Sequence, residues 1–172
     1  QSSGTLSSLL DVANQSLQVY GAHNLMGNIT GNQARPRFAS LADGSLSPEE
    51  DSKLAGWTRD IQHQGEEGYI RMNYLMAFLM SVPGIPCIYY GDEIADVGGN
   101  APDNRRMMRF DHWNDLEEST WQNTRDWIQL RRKRMSLLFG QTTYLEIRPG
   151  VLQIRRQYLD EETMVIINTS NE

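Results

Sequence analysis

The residues that could do chemistry in this chain fall into two clusters. One is Asn32-Gln33-Ala34, with Arg35-Pro36-Arg37-Phe38 behind it. The other is Tyr90-Gly91-Asp92-Glu93, followed by the loop that carries Ala101-Pro102-Asp103-Asn104-Arg105. Asp92 and Glu93 invite a reading as an acid–base pair. Adjacent residues at a strand end point to opposite sides, however, so they make a poor dyad. Gln33 can both donate and accept a hydrogen bond, whereas Arg105 only donates. His23, His63 and His112 are scattered, without the spacing of metal ligands, and no metal or cofactor is expected. Cys87 sits in an apolar run and reads as buried filler. The basic run Arg131-Arg132-Lys133-Arg134 falls near a helix C-terminus, where its charges favour the helix dipole and solvent.

These clusters need elements to position them. Residues 5–20 set Leu6, Leu9, Leu10, Ala13, Leu17 and Tyr20 at helical spacing, and Gly21 is a natural stop. The apolar segment 24–30 predicts a short strand, with the first cluster at its end. Ser47-Pro48-Glu49-Glu50 offers a cap, a proline at the first helical position and a capping-box glutamate. A helix of about a dozen residues should follow. A strongly apolar helix is expected over 69–82, with Leu75, Met76 and Leu79 inward and Pro83-Gly84 at its end. The run Ile85-Pro86-Cys87-Ile88-Tyr89-Tyr90 lacks alternation, as in a parallel-sheet strand covered on both faces, and the second cluster closes it. Asp115-Leu116-Glu117-Glu118 can start a helix carrying Trp121, Trp127, Ile128 and Met135. Past Gly140, strands are expected at 142–147, 151–158 and 163–168, with turns at Pro149-Gly150 and 159–162.

A formal charge of −6 gives no electrostatic footprint for nucleic acid. No apolar stretch approaches the ~20 residues of a membrane span. One cysteine excludes an internal disulfide, and the opening Gln-Ser-Ser-Gly-Thr shows no basic-then-apolar leader. The order helix, strand, helix, helix, strand, helix implies βα units on a parallel sheet. Two such strands cannot close a barrel, which needs eight and ~250 residues.

The two clusters resemble glycoside hydrolase family 13, the α-amylase family. Its seventh barrel strand ends in Asn-His-Asp, often followed by x-Pro-Arg-Phe; Asn32, Gln33, Ala34, Pro36, Arg37 and Phe38 stand at those positions. Its eighth strand commonly reads Gly-x-Pro-x-Ile-Tyr-Tyr-Gly-Asp-Glu, which residues 84–93 match at every fixed position. Gln33 in place of histidine is similar to neopullulanase- and cyclomaltodextrinase-like members. The resemblance implies the C-terminal portion of a (β/α)8 TIM barrel, its seventh and eighth βα units, over residues 1–138. The beginning of an antiparallel β domain would follow over 139–172. It also implies an α-glucan or maltooligosaccharide as ligand, and a need for the N-terminal remainder of the barrel or an oligomer.

Retaining glycosidases of this family use a nucleophile and an acid/base on earlier strands, and neither strand is among these residues. The family's third acid, which stabilises the transition state, falls at Ala34. Losing such a contact costs ~3–4 kcal/mol. Ala101 stands where some members place a sugar-binding aspartate, with Arg105 its usual partner. The resemblance thus marks Gln33 and Arg105 as sugar-binding positions. The two alanines have three readings: engineered substitutions that trap a sugar, decay into a non-catalytic homologue, or an alignment shift that makes Asp103 the ligand. Each predicts an isolated chain without hydrolytic activity. Trp57 and Trp113 remain candidates for stacking on sugars; Tyr89 and Tyr90 read as core and rim residues.

Overall fold

Leucines and alanines at helical spacing wind residues Leu6–Tyr20 into α1, and Gly21, with φ 74°, ends it. The computed structural model describes residues 6–21 and 25–170; Thr5, His23 and Asn24, which entered the sequence expectations, lie outside the described residues. Strand β1 spans Gly27–Ile29 and pairs with β2, Ile85–Cys87. Ile85 donates its N–H to Met26 O at 2.8 Å, and Thr30 to Cys87 O at 3.1 Å. Partner numbers rise together, so the two strands run parallel. Both strands are shorter than expected. Cys87 is exposed rather than buried filler, because the β2 side chains on either side of Pro86 stand open; Ile85 is 50% exposed.

Between the strands lie α2 (Phe38–Ala42), α3 (Ser52–Thr58) and α4 (Glu67–Ser81). Half of the capping box forms, with Ser47 N donating to Glu50 Oε1 at 2.7 Å; the Ser47 hydroxyl accepts from Glu49 N instead, and the segment closes a turn rather than opening a long helix. Arg59 draws the same Glu50 carboxylate into a forked pair at 2.7 and 2.8 Å. Asp51 is the cap that starts α3, accepting from Lys53 N and Leu54 N at 3.0 Å. Helix α4 begins earlier than the periodicity suggests and takes Gly68 into its first turn. A Cβ there would lie 3.0 Å from the His63 ring. Its buried face is Met72, Met76, Leu79 and Met80; Leu75 is half-buried.

Helix α5 (Asp115–Lys133) is opened by Asn114, whose Oδ1 accepts from Leu116 N and Glu117 N at 2.9 Å. Glu117 returns the contact to Asn114 N. After α6 (Met135–Phe139) come β3 (Gln141–Arg148), β4 (Val151–Tyr158) and β5 (Glu161–Asn168), an antiparallel meander in the order β3-β4-β5. Leu159, at φ 51°, turns the chain between the last two.

The described residues form two compact units. One, the cluster unit, holds 29–76 and 86–127, with Ala39, Leu46, Ile61, Met72, Met76 and Ile94 in its core. The other, the meander unit, holds 6–21, 25–28, 77–85 and 128–170, with Leu10, Leu137, Leu152, Ile154 and Ile167 buried.

The meander unit overturns the solvated reading of Arg131. That side chain is buried, donating to Met80 O at 2.6 Å, Val82 O at 2.9 Å and Gly84 O at 2.7 Å. Arg156 joins it, reaching Ser81 O at 2.7 Å and Gly140 O at 3.0 Å. The last carbonyls of α4 have no partner within the helix, and the negative end of its dipole attracts cations. Arg132 and Lys133 do face solvent. Among the described residues no helix is long and apolar enough to cross a membrane.

Candidate functional site

The first cluster follows β1 and the second follows β2, so parallel pairing brings both to the same end of the two strands. Thr30, at the end of β1, fastens them: its Oγ1 accepts from Tyr89 N at 2.9 Å and donates to Asp92 Oδ2 at 2.6 Å. Arg37 completes the lock. Its Nη1 donates to Tyr90 O at 2.6 Å and to Asp92 Oδ1 at 2.9 Å. Its guanidinium lies over the Tyr89 and Tyr90 rings, 4.4 and 5.0 Å from their centroids. Arg37 and Asp92 are 2% and 1% exposed. Burial pushes the Asp92 carboxyl above the usual range, while the Thr30 hydroxyl and the Arg37 charge pull it back.

Asp92 and Glu93 sit in a 3-10 turn, not on a strand. The expectation that they form no dyad rested on strand alternation, and the geometry supplies another reason. Asp92 is taken up by Thr30 and Arg37. Gly91 makes the turn possible at φ 87°, a conformation that a side chain resists.

Above this lock the backbone of residues 32–35 is held from the second loop. Asn104, fully buried, donates through Nδ2 to Asn32 O at 3.2 Å and Arg35 O at 2.6 Å. Arg105 donates to Gln33 O from Nε at 3.3 Å and Nη2 at 3.2 Å. Ala34 N–H closes on Asn32 Oδ1 at 2.8 Å. The result is an exposed patch of Gln33, Ala34 and Arg105 on a rigid floor. Asp103 is brought near but faces elsewhere: it accepts from Gly99 N at 2.7 Å and from Arg106 at 2.9 and 3.0 Å.

Tyr89 and Tyr90 meet edge to face at 4.7 Å and are half-buried. Trp57 is 68% exposed on α3. Trp113 donates to Arg109 O at 3.0 Å and tilts against Trp121. His63 lies between Asp43 Oδ2 at 2.8 Å and Ala95 O at 2.9 Å, stacked on Tyr69. Among the described residues no group of three or more His, Cys, Asp or Glu is arranged to hold a metal ion. Sequence reasoning missed Thr30, and it named Asn104 within the second cluster without its role as the clamp on residues 32–35. A lone polar side chain at the end of an apolar segment is the one signal that could have raised Thr30.

No family model matches the chain. Among curated proteins, a cyclomaltodextrinase of Geobacillus thermopakistaniensis is 35% identical over 104 residues, covering 59% of this chain and 18% of that protein. A cyclomaltodextrinase of Thermoanaerobacter pseudethanolicus is 27% identical over 150 residues, 87% of this chain and 22% of the other. Among solved structures, the α-amylase of Geobacillus thermoleovorans, complexed with acarbose, is 31% identical with a TM-score of 0.72. That match covers 98% of this chain and 33% of the amylase. The chain spans about a fifth of the length of these curated relatives. Related sequence and a common fold over almost its whole length agree with the motifs at the ends of β1 and β2: the chain belongs to glycoside hydrolase family 13, the α-amylase family.

Proposed function

We propose that this chain supplies the seventh and eighth βα units of a (β/α)8 barrel over residues 1–138 and the start of a C-terminal β domain over 139–172. Together they serve an α-glucan-active glycoside hydrolase that acts by the retaining mechanism. The carrying observation is the parallel pairing of β1 with β2, which sets Gln33, Ala34 and Arg105 side by side at one strand end. In barrel enzymes that end is where reacting groups gather.

In this reading Gln33 and Arg105 bind sugar hydroxyls; Asp103 is the further ligand only under the shifted alignment, and otherwise keeps its pair with Arg106. Ala34 occupies the place of the transition-state-stabilising acid, and its methyl can accept no hydrogen bond. The nucleophile and acid/base belong to other strands, so the chain by itself hydrolyses nothing. The bound acarbose of the Geobacillus thermoleovorans amylase supports a maltooligosaccharide as ligand. The exposed apolar faces of α1 and the strand pair, with Val12 63% and Ile29 56% open, support a need for the remainder of a barrel or for an oligomer.

The test is co-expression with a complementing N-terminal half from a cyclomaltodextrinase, with Ala34→Asp introduced. Recovered maltooligosaccharide cleavage supports the enzyme reading. The two alanines favour a second reading, a non-catalytic glucan-binding protein of the same descent. Tight binding with no turnover in the Ala34→Asp assembly would select it.

A further inference from the structure

The cluster unit contains a cavity of about 470 Å³ that Gln33, Ala34 and Arg105 do not line. Its walls come from residues 62–63, 96–97 and 106–117. The size lies within the ~300–1,000 Å³ usual for small-molecule sites, but the lining departs from their apolar norm. Gln62, Asp96, Arg106, Arg109, Asn114 and Glu117 all face it, with Val97 and Met107 as the apolar part.

The charges on these walls cancel. Arg106 forms a two-bonded pair with Asp103, and Arg109 pairs with Glu117, one of its bonds measuring 3.2 Å. Glu117 holds Arg109 above its ordinary pKa, and the Asp96 charge across the cavity adds to this. An anion would find both guanidinium groups already bonded to carboxylates. A cation would find a lining with no net negative charge. An apolar molecule would strip water from donors and acceptors without replacing its hydrogen bonds. A neutral molecule dense in hydroxyls satisfies both kinds of group at once, and Met107 is an adaptable wall.

We infer that this cavity is a second carbohydrate site, binding a short oligosaccharide apart from the patch at Gln33 and Arg105. The hydroxyl-rich class follows from the cavity alone; the choice of an α-glucan as probe rests on the function proposed above. The experiment is a titration of the nitrogen-15-labelled chain with maltotriose to ~20 mM, following amide shifts. Saturating shifts at Gln62, Asp96 and Asn114 with a Kd on the order of 1 mM are the expected result. Asp96→Ala should weaken these shifts about tenfold, as loss of a hydrogen bond to a charged group does, with Asp96→Asn in between. Gln33→Ala should leave them unchanged. Shifts confined to residues 32–35, or none at the cavity amides in a spectrum otherwise that of the folded chain, overturn the second site. The first of those results would still leave the proposed function standing.

Discussion

Arg37 in the cluster unit and Arg131 and Arg156 in the meander unit are almost equally dry, but their charges are met in different ways. Arg37 lies on a carboxylate, Asp92, with two tyrosine faces beneath it. Arg131 and Arg156 lie on backbone carbonyls, four of the five within residues 80–84. Burial lowers the pKa of both, and the Arg131 charge helps bring Arg156 down to about 10. A helix end therefore substitutes for a counter-ion when its partial negative charge is concentrated enough. Beside the functional cluster, where two strands stop and no long helix ends, a full carboxylate does this work.

The contrast can be broken from its stronger side first. Arg37→Met leaves Asp92 buried without its cation and should cost about 3–5 kcal/mol in a urea denaturation experiment. Adding Asp92→Leu should restore at least half of that loss; no recovery would show that Arg37 acts through packing alone. Arg131→Met strands three carbonyls but no charge. It should cost about 2–3 kcal/mol, because an unsatisfied carbonyl is cheaper than an uncompensated carboxylate. Equal costs for the two arginines would erase the distinction.

The smallest effect is in the acid limb. Hydrogen bonds from Arg59 bring Glu50 down to about 2, and those from Ser136 hold Glu161 below the usual range. One acid lies in each unit. A depressed folded pKa means stability that is full above the ordinary glutamate range and is lost as pH falls through the folded value. The Tm gap between the parent chain and Glu50→Gln should therefore close between pH 5 and about pH 2. Glu161→Gln should close its gap over the upper part of the same interval. A gap that persists at pH 2 would mean that the ionised carboxylate is not what the glutamine removed.

Much of this was legible because it is written locally. Periodicity located α1, α4 and α5, and the turn at Pro149-Gly150 divided β3 from β4. The motifs at the ends of β1 and β2 proved to be spatial neighbours because parallel pairing is a regular operation on two strand segments. What failed depended on partners distant in sequence. Arg131 looked like a solvated charge because its acceptors lie on residues 80–84. Glu50 looked like a helix-start residue because Arg59 was not part of the local pattern. Cys87 looked buried because an apolar run was equated with a covered one. Asn104 stood within the second cluster without a role, since a buried asparagine's part is recognised only by the carbonyls it holds.

The parallel pair also has a kinetic consequence. Met26 waits for Ile85, so the first bond of that ladder closes a loop of about sixty residues, against two-residue turns in the meander. Contacts between distant segments form slowly because ordering entropy is lost before they reward it. The meander should be in place while the strand ends that shape the patch of Gln33, Ala34 and Arg105 are still separate, and refolding should regain the patch last.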